Sequence, residues 1–105
     1  MPYDSTVSTH GDPGETYSVT GVDAAKSIAD YGVPTTLDNG TIAVAVLISV
    51  ETQDARIKWG SQPSAGHVVA SGGSYMGYGP EVVRKLKVGN ATAGSNAALN
   101  ITCFF

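Results

Sequence analysis

One cysteine and two histidines are all that the 105 residues offer to thiol, disulfide or imidazole chemistry. Cys103 has no second cysteine to pair with, so no disulfide closes within one chain. His10 and His67 are far apart, and neither belongs to a close-spaced ligand pair, which removes the usual zinc patterns. Long hydrophobic runs are also missing. The longest, Ile42 to Ile48, has seven residues, against about 20 for a membrane-spanning helix. Met1 to His10 lacks the basic start and apolar stretch of a secretory signal. A reducing interior, or export as part of a particle, is the expected origin. Three Asn-x-Thr triplets, at Asn39, Asn90 and Asn100, are accordingly read as chance matches to the glycosylation pattern.

What remains fits one domain. A chain of this length hides only about 60–65% of its extended surface on folding, so its stability margin is thin and association with other copies is an expected aid. Charge is sparse and unevenly spread. Residues 1–54 carry eight acids and Lys26 alone as a base, a balance of −7. Residues 55–105 carry Arg56, Lys58, Arg84, Lys85 and Lys87 against Glu81, a balance of +4. Such a split either coats a soluble surface or lets copies and partners dock acidic side to basic side. Five scattered cations on a chain of net charge −3 neutralise few phosphates, so nucleic acid is not an expected partner.

Hydrophobic periodicity points to strands. After the turn signal Asp38-Asn39-Gly40, the segment Thr41 to Glu51 places Ile42, Val44, Val46, Ile48 and Val50 on one face. Ala43, Ala45, Leu47 and Ser49 occupy the other. A strand apolar on both sides is expected at the centre of a sheet and covered on both faces. Asp54 to Trp59 alternates with Ala55, Ile57 and Trp59 inward and Arg56 and Lys58 outward. Ala97 to Phe104 alternates with Leu99, Ile101 and Cys103 on one side.

Weaker signals fill the gaps. Residues 1–15 read as a polar arm with a turn at Asp12-Pro13-Gly14, and Tyr17 to Val22 as a first strand. Val22 to Tyr31 has mild helical spacing with Asp23 as a cap, a loop pinned by Ile28 being the alternative. Gly60 to Gly66 reads as a loop, Val68-Val69 as a short strand, and Gly72-Gly73 and Gly79-Pro80 as turns. Val82 to Val88 reads as a strand with Val82, Leu86 and Val88 inward, Val83, Lys85 and Lys87 outward, and Arg84 at an edge. Six to eight short strands at this spacing predict an all-β antiparallel sandwich or jelly roll spanning 16–105.

Little here carries chemistry. Cys103 alternates with Leu99 and Ile101 and is expected as a small buried hydrophobe. No serine sits in a Gly-x-Ser-x-Gly elbow, and the carboxylates show no spacing that fixes a catalytic pair. No cofactor or metal is expected, and the chain is read as a non-enzyme. The unusual stretch is Gly72-Gly-Ser-Tyr-Met-Gly-Tyr-Gly79, where Tyr75, Met76 and Tyr78 make a candidate contact surface for protein or sugar. Trp59 is expected as a core anchor.

Residues 42–105 resemble the small head-decoration or cement proteins of tailed bacteriophages. The likeness lies in Ile42-Ala-Val-Ala-Val-Leu-Ile-Ser-Val-Glu51, Ala55-Arg-Ile-Lys-Trp-Gly60, Pro63-Ser-Ala-Gly-His67 and Asn96-Ala-Ala-Leu-Asn-Ile-Thr-Cys-Phe104. Ser64 stands where threonine is more usual. The resemblance implies a trimeric β-sandwich made in a bacterial cytoplasm and bound to the outer face of a capsid. Its partners would be its own copies and the major capsid protein, with arm 1–15 reaching over a neighbour. Arg56, Lys58, Arg84, Lys85 and Lys87 join Tyr75, Met76 and Tyr78 as the expected protein contacts. A neck- or fibre-associated module binding host glycan is the alternative.

Overall fold

The alternating segments close into two facing sheets in a computed structural model, which describes residues 11–59 and 66–105. Eight strands follow in chain order: β1 (Pro13–Val22), β2 (Lys26–Ser27), β3 (Ala45–Thr52), β4 (Ala55–Trp59), β5 (His67–Val69), β6 (Ser74–Tyr78), β7 (Leu86–Asn90) and β8 (Ala97–Phe104). One sheet has the order β1-β8-β3-β6 and the other β2-β7-β4-β5, and every pairing is antiparallel. The ladders β1·β8, β2·β7, β3·β6 and β4·β5 are nested, as when one long hairpin is wound around a barrel. That nesting is the jelly-roll arrangement of an all-β sandwich.

The inner faces meet in a core built by strict alternation. Val46, Ile48 and Val50 of β3 lie in register with Cys103, Ile101 and Leu99 of β8. Ala55 and Ile57 of β4, with Leu86 and Val88 of β7, are also buried in that core. Full burial of each aliphatic side chain contributes about 1.5–3 kcal/mol. Tyr17 and Val19 of β1 extend the same layer at its margin. The turn at Asp38-Asn39-Gly40 forms as expected: Gly40 has φ of 90° and its N–H donates to the Leu37 carbonyl at 2.9 Å. An L side chain is strained there, which explains the glycine.

Several expectations are corrected. The segment Val22–Tyr31 is not helical; it holds the two-residue β2 and a 3-10 turn at Ala29–Tyr31, with Ile28 buried as the pin. Asp12-Pro13-Gly14 is no turn, because β1 begins at Pro13, inside the stretch assigned to the arm. Residues 1–10 of that arm and residues 60–65 of the expected loop lie outside the described residues. The central strand starts at Ala45 rather than Thr41, and Ile42 is 57% exposed instead of joining the core. Its neighbour Ala43 is buried in the core instead. The outer face of β3 is only partly covered, with Leu47 and Ser49 half-buried.

The largest correction concerns 80–88. Pro80–Lys85 forms a short helix, α1, and only Leu86–Asn90 is a strand. Val83 therefore faces inward and is buried, whereas it was expected outward. Arg84 lies exposed on α1 and not at a sheet edge, and β7 is an interior strand between β2 and β4. Proline at the helix start, Glu81 in the first turn and Arg84 and Lys85 in the last suit the helix dipole.

Candidate functional site

Among the described residues no group of three or more His, Cys, Asp and Glu side chains converges in a way that could hold a metal. His67 is exposed at the start of β5, its ring edge-on to Trp59 at 6.2 Å. Cys103 is buried, and burial pushes its thiol up to about 11. It remains a neutral thiol at neutral pH, unsuited to nucleophilic attack. Most of the other expected site residues lie on the two outer sheet faces and on α1.

The outer face of the β1-β8-β3-β6 sheet is built in rows by the strand registers. Thr16, Thr102, Leu47 and Met76 form one row, and Ser18, Asn100, Ser49 and Ser74 the next. Hydroxyl and amide groups tie the β1 side together: Thr16 bonds Thr102 at 2.6 Å, Ser18 donates to Asn100 at 2.9 Å, and Asn100 donates to Glu51 at 2.7 Å. Toward β6 the face turns apolar, where Phe104, Ala45 and Tyr78 share a row beside Leu47 and Met76.

The outer face of the β2-β7-β4-β5 sheet is basic. Arg56 and Lys58 point away from the core, and Lys58 lies directly across the ladder from Lys87. Like charges placed opposite one another in a sheet repel, and no acid pairs with either lysine among the described residues. Arg56 has Val68 opposite it on the other side, and Val68 is 50% exposed. Val68 thus stands at the β5 edge of a face that carries three cations, with Arg56 as its direct neighbour across the ladder.

The remaining expected cations do not join them. Arg84 is held by Glu81 through two hydrogen bonds, 2.5 and 3.2 Å long, and Lys85 approaches the same carboxylate at 3.7 Å. The bond from Arg84 keeps the Glu81 carboxyl below its ordinary range. All three are well exposed. The group of five basic contacts read from sequence is therefore two groups, one on a sheet face and one on α1.

The tyrosines also separate. Tyr75 opposes Ile48 and packs on the core, edge-on to Trp59 at 5.8 Å, and burial raises its hydroxyl pKa. Tyr78 opposes Ala45 on the outside and is 54% exposed, on the same side as Met76. Residues three apart in a strand point to opposite faces. Tyr75 and Tyr78 consequently make no single platform for a sugar. Trp59 is partly buried against the core as expected, but its indole N–H finds no acceptor among the described residues.

One feature was not read from sequence. A cavity of about 230 Å³ opens beside β1, walled by Tyr17, Val33, Pro34, Leu37 and Phe105 with Cys103 behind them and Glu15 as the one charged lining residue among the described residues. Apolar Val33, Pro34 and Leu37 outside any strand were the available signal. Comparison with protein-family models, curated proteins and solved structures finds no match to this chain.

Proposed function

We propose that this chain is a structural virion protein that binds the outer surface of a phage capsid and stabilises it as a decoration subunit. The observation that carries the reading is the basic outer face, where Lys58 and Lys87 stand opposed with no acid to relieve them among the described residues. A face of this kind is best satisfied by an acidic protein surface. The jelly-roll topology supports the reading by analogy, since that fold recurs in capsid domains. Many copies that each bind only the assembled shell shift the shell toward its closed state by mass action. The copies act as homotrimers in this reading.

Electron microscopy of the virions that carry this chain tests it. The expected image is a lattice of knobs at fixed positions on the shell, lost when the protein is omitted and restored when it is added back. Smooth shells with the protein located at the neck or tail would overturn the reading.

A further inference from the structure

The sandwich carries an apolar hole at one edge and an apolar knob at the other, with opposite charges around them. The hole is the cavity beside β1. Its lining residue Glu15 is joined by exposed Asp12, whose backbone pairs with that of Phe105, and by Asp38, next in sequence to Leu37. At about 230 Å³ it is smaller than the roughly 300 Å³ at which small-molecule sites begin, which favours a protein side chain as occupant.

The knob is Val68. Among the described residues the exposed large hydrophobics are Leu37, Ile42, Val68 and Tyr78. Leu37 walls the cavity itself, and Ile42 belongs to the same bridged loop. Tyr78 lies on the opposite sheet, away from the three sheet-face cations. Val68 lies on their face, across from Arg56 and diagonal to Lys58. Lysine stems lie readily along apolar walls while the ammonium reaches a rim carboxylate.

We propose that copies of this chain associate head to tail, with Val68 and the neighbouring Lys58 of one copy seated in the Glu15-lined cavity of the next. The strand orders place β1 at one edge of the sandwich and β5 at the other, because Trp59 of β4 packs on Tyr75 of β6 while β1 lies over β7. Knob and hole therefore cannot meet within one molecule. A contact between two different surfaces propagates into a closed ring or a filament rather than a two-fold dimer. A ring of three is the closed form that agrees with the proposed function, yet the contact is read without any shell.

Charge swapping tests it on the full chain by light scattering across concentration at low and high salt. Wild type is expected to form oligomers that weaken as salt rises. Glu15→Lys and Lys58→Glu should each weaken association by about tenfold or more, and the double variant should recover most of the loss. Val68→Asp should leave monomers that retain the far-ultraviolet dichroism of wild type. If a reversal disturbs folding, Glu15→Gln and Lys58→Gln probe the same contact with less perturbation. A wild type that stays monomeric at low salt, oligomers indifferent to both reversals, or a double variant no stronger than the singles would overturn the proposal. Smooth virions with a salt-sensitive oligomer would instead defeat only the shell-binding reading.

Discussion

The Tyr31 hydroxyl donates a hydrogen bond to the Val88 carbonyl at 2.5 Å, tying the 3-10 turn after β2 to the middle of β7. Burial, helped by Asp23 and Asp30, pushes the Tyr31 pKa up to about 12. The fold thus favours the neutral phenol. Its stabilising effect is intact below the ordinary tyrosine value near 10 and is lost as pH rises toward 12. Chemical denaturation followed from neutral pH to strongly alkaline pH should show wild type losing stability in that window faster than Tyr31→Phe. At neutral pH the same substitution should cost about 0.5–1.5 kcal/mol for the lost hydrogen bond. Parallel alkaline curves for the two proteins would show that Tyr31 does not govern the window.

Close approach of two backbones gives a second expectation. A Cβ placed on Gly89 would lie 2.8 Å from the Ala25 nitrogen and 3.0 Å from the Asp23 carbonyl oxygen. These are main-chain atoms in the connection between β1 and β2, and they cannot rotate aside. Gly89→Ala should destabilise by about 1–3 kcal/mol, as overpacking does. An unchanged urea midpoint would contradict the tight packing of β7 under that connection.

Ile42 and Ile48 look equivalent in sequence, both on the large-residue face of one alternating run, yet the sheet uses only the second. Ile48 is fully buried between Tyr75 and Ile101, whereas Ile42 stands 57% exposed in the loop before β3. Ile48→Ala should cost about 2–5 kcal/mol, and Ile42→Ala should stay within about 0.5 kcal/mol. Thermal or urea unfolding of the two variants separates these cases directly.

That pair shows what a single sequence carries. The alternations of β3, β4 and β8 were legible because each strand buries one face against the other sheet, and period two is a local property. The point where the alternating run stops being a strand was not legible, since Ile42 leaves the ladder only where the loop bridge with Thr36 takes over. Paired valines disguised α1: Val82 and Val83 suggest a strand, while Pro80, Glu81, Arg84 and Lys85 carry the helix signals at the right spacing. The opposed Tyr75 and Tyr78 could have been read from parity alone. The juxtaposition of Lys58 and Lys87 could not, because it depends on the register between β4 and β7, which are separated by two strands and a helix.

The buried Cys103 thiol should be inert in the native protein. Its sulfur lies in the core row with Val46, and its pKa of about 11 leaves little thiolate at pH 8. A thiol-reactive dye should label the folded chain far more slowly than the chain in denaturant. Rapid labelling under native conditions would mean that the C-terminal end of β8 opens readily to solvent.

The Lys58–Lys87 pair makes the last prediction. With the ammonium groups on one face and no acid paired to them among the described residues, repulsion opposes the β4·β7 pairing of the isolated protein. Lys87→Glu replaces that repulsion with attraction and should stabilise the fold by about 0.2–1 kcal/mol at low salt. Screening should shrink the gain as salt rises, because both side chains reach solvent. The same change should weaken binding of the protein to isolated shells if this face is the docking surface. A variant more stable alone but poorer on the shell would locate the reason for keeping two lysines opposed: the strain is relieved only when an acidic partner covers them. Equal shell binding by wild type and Lys87→Glu, measured by co-sedimentation, would assign that role to another surface.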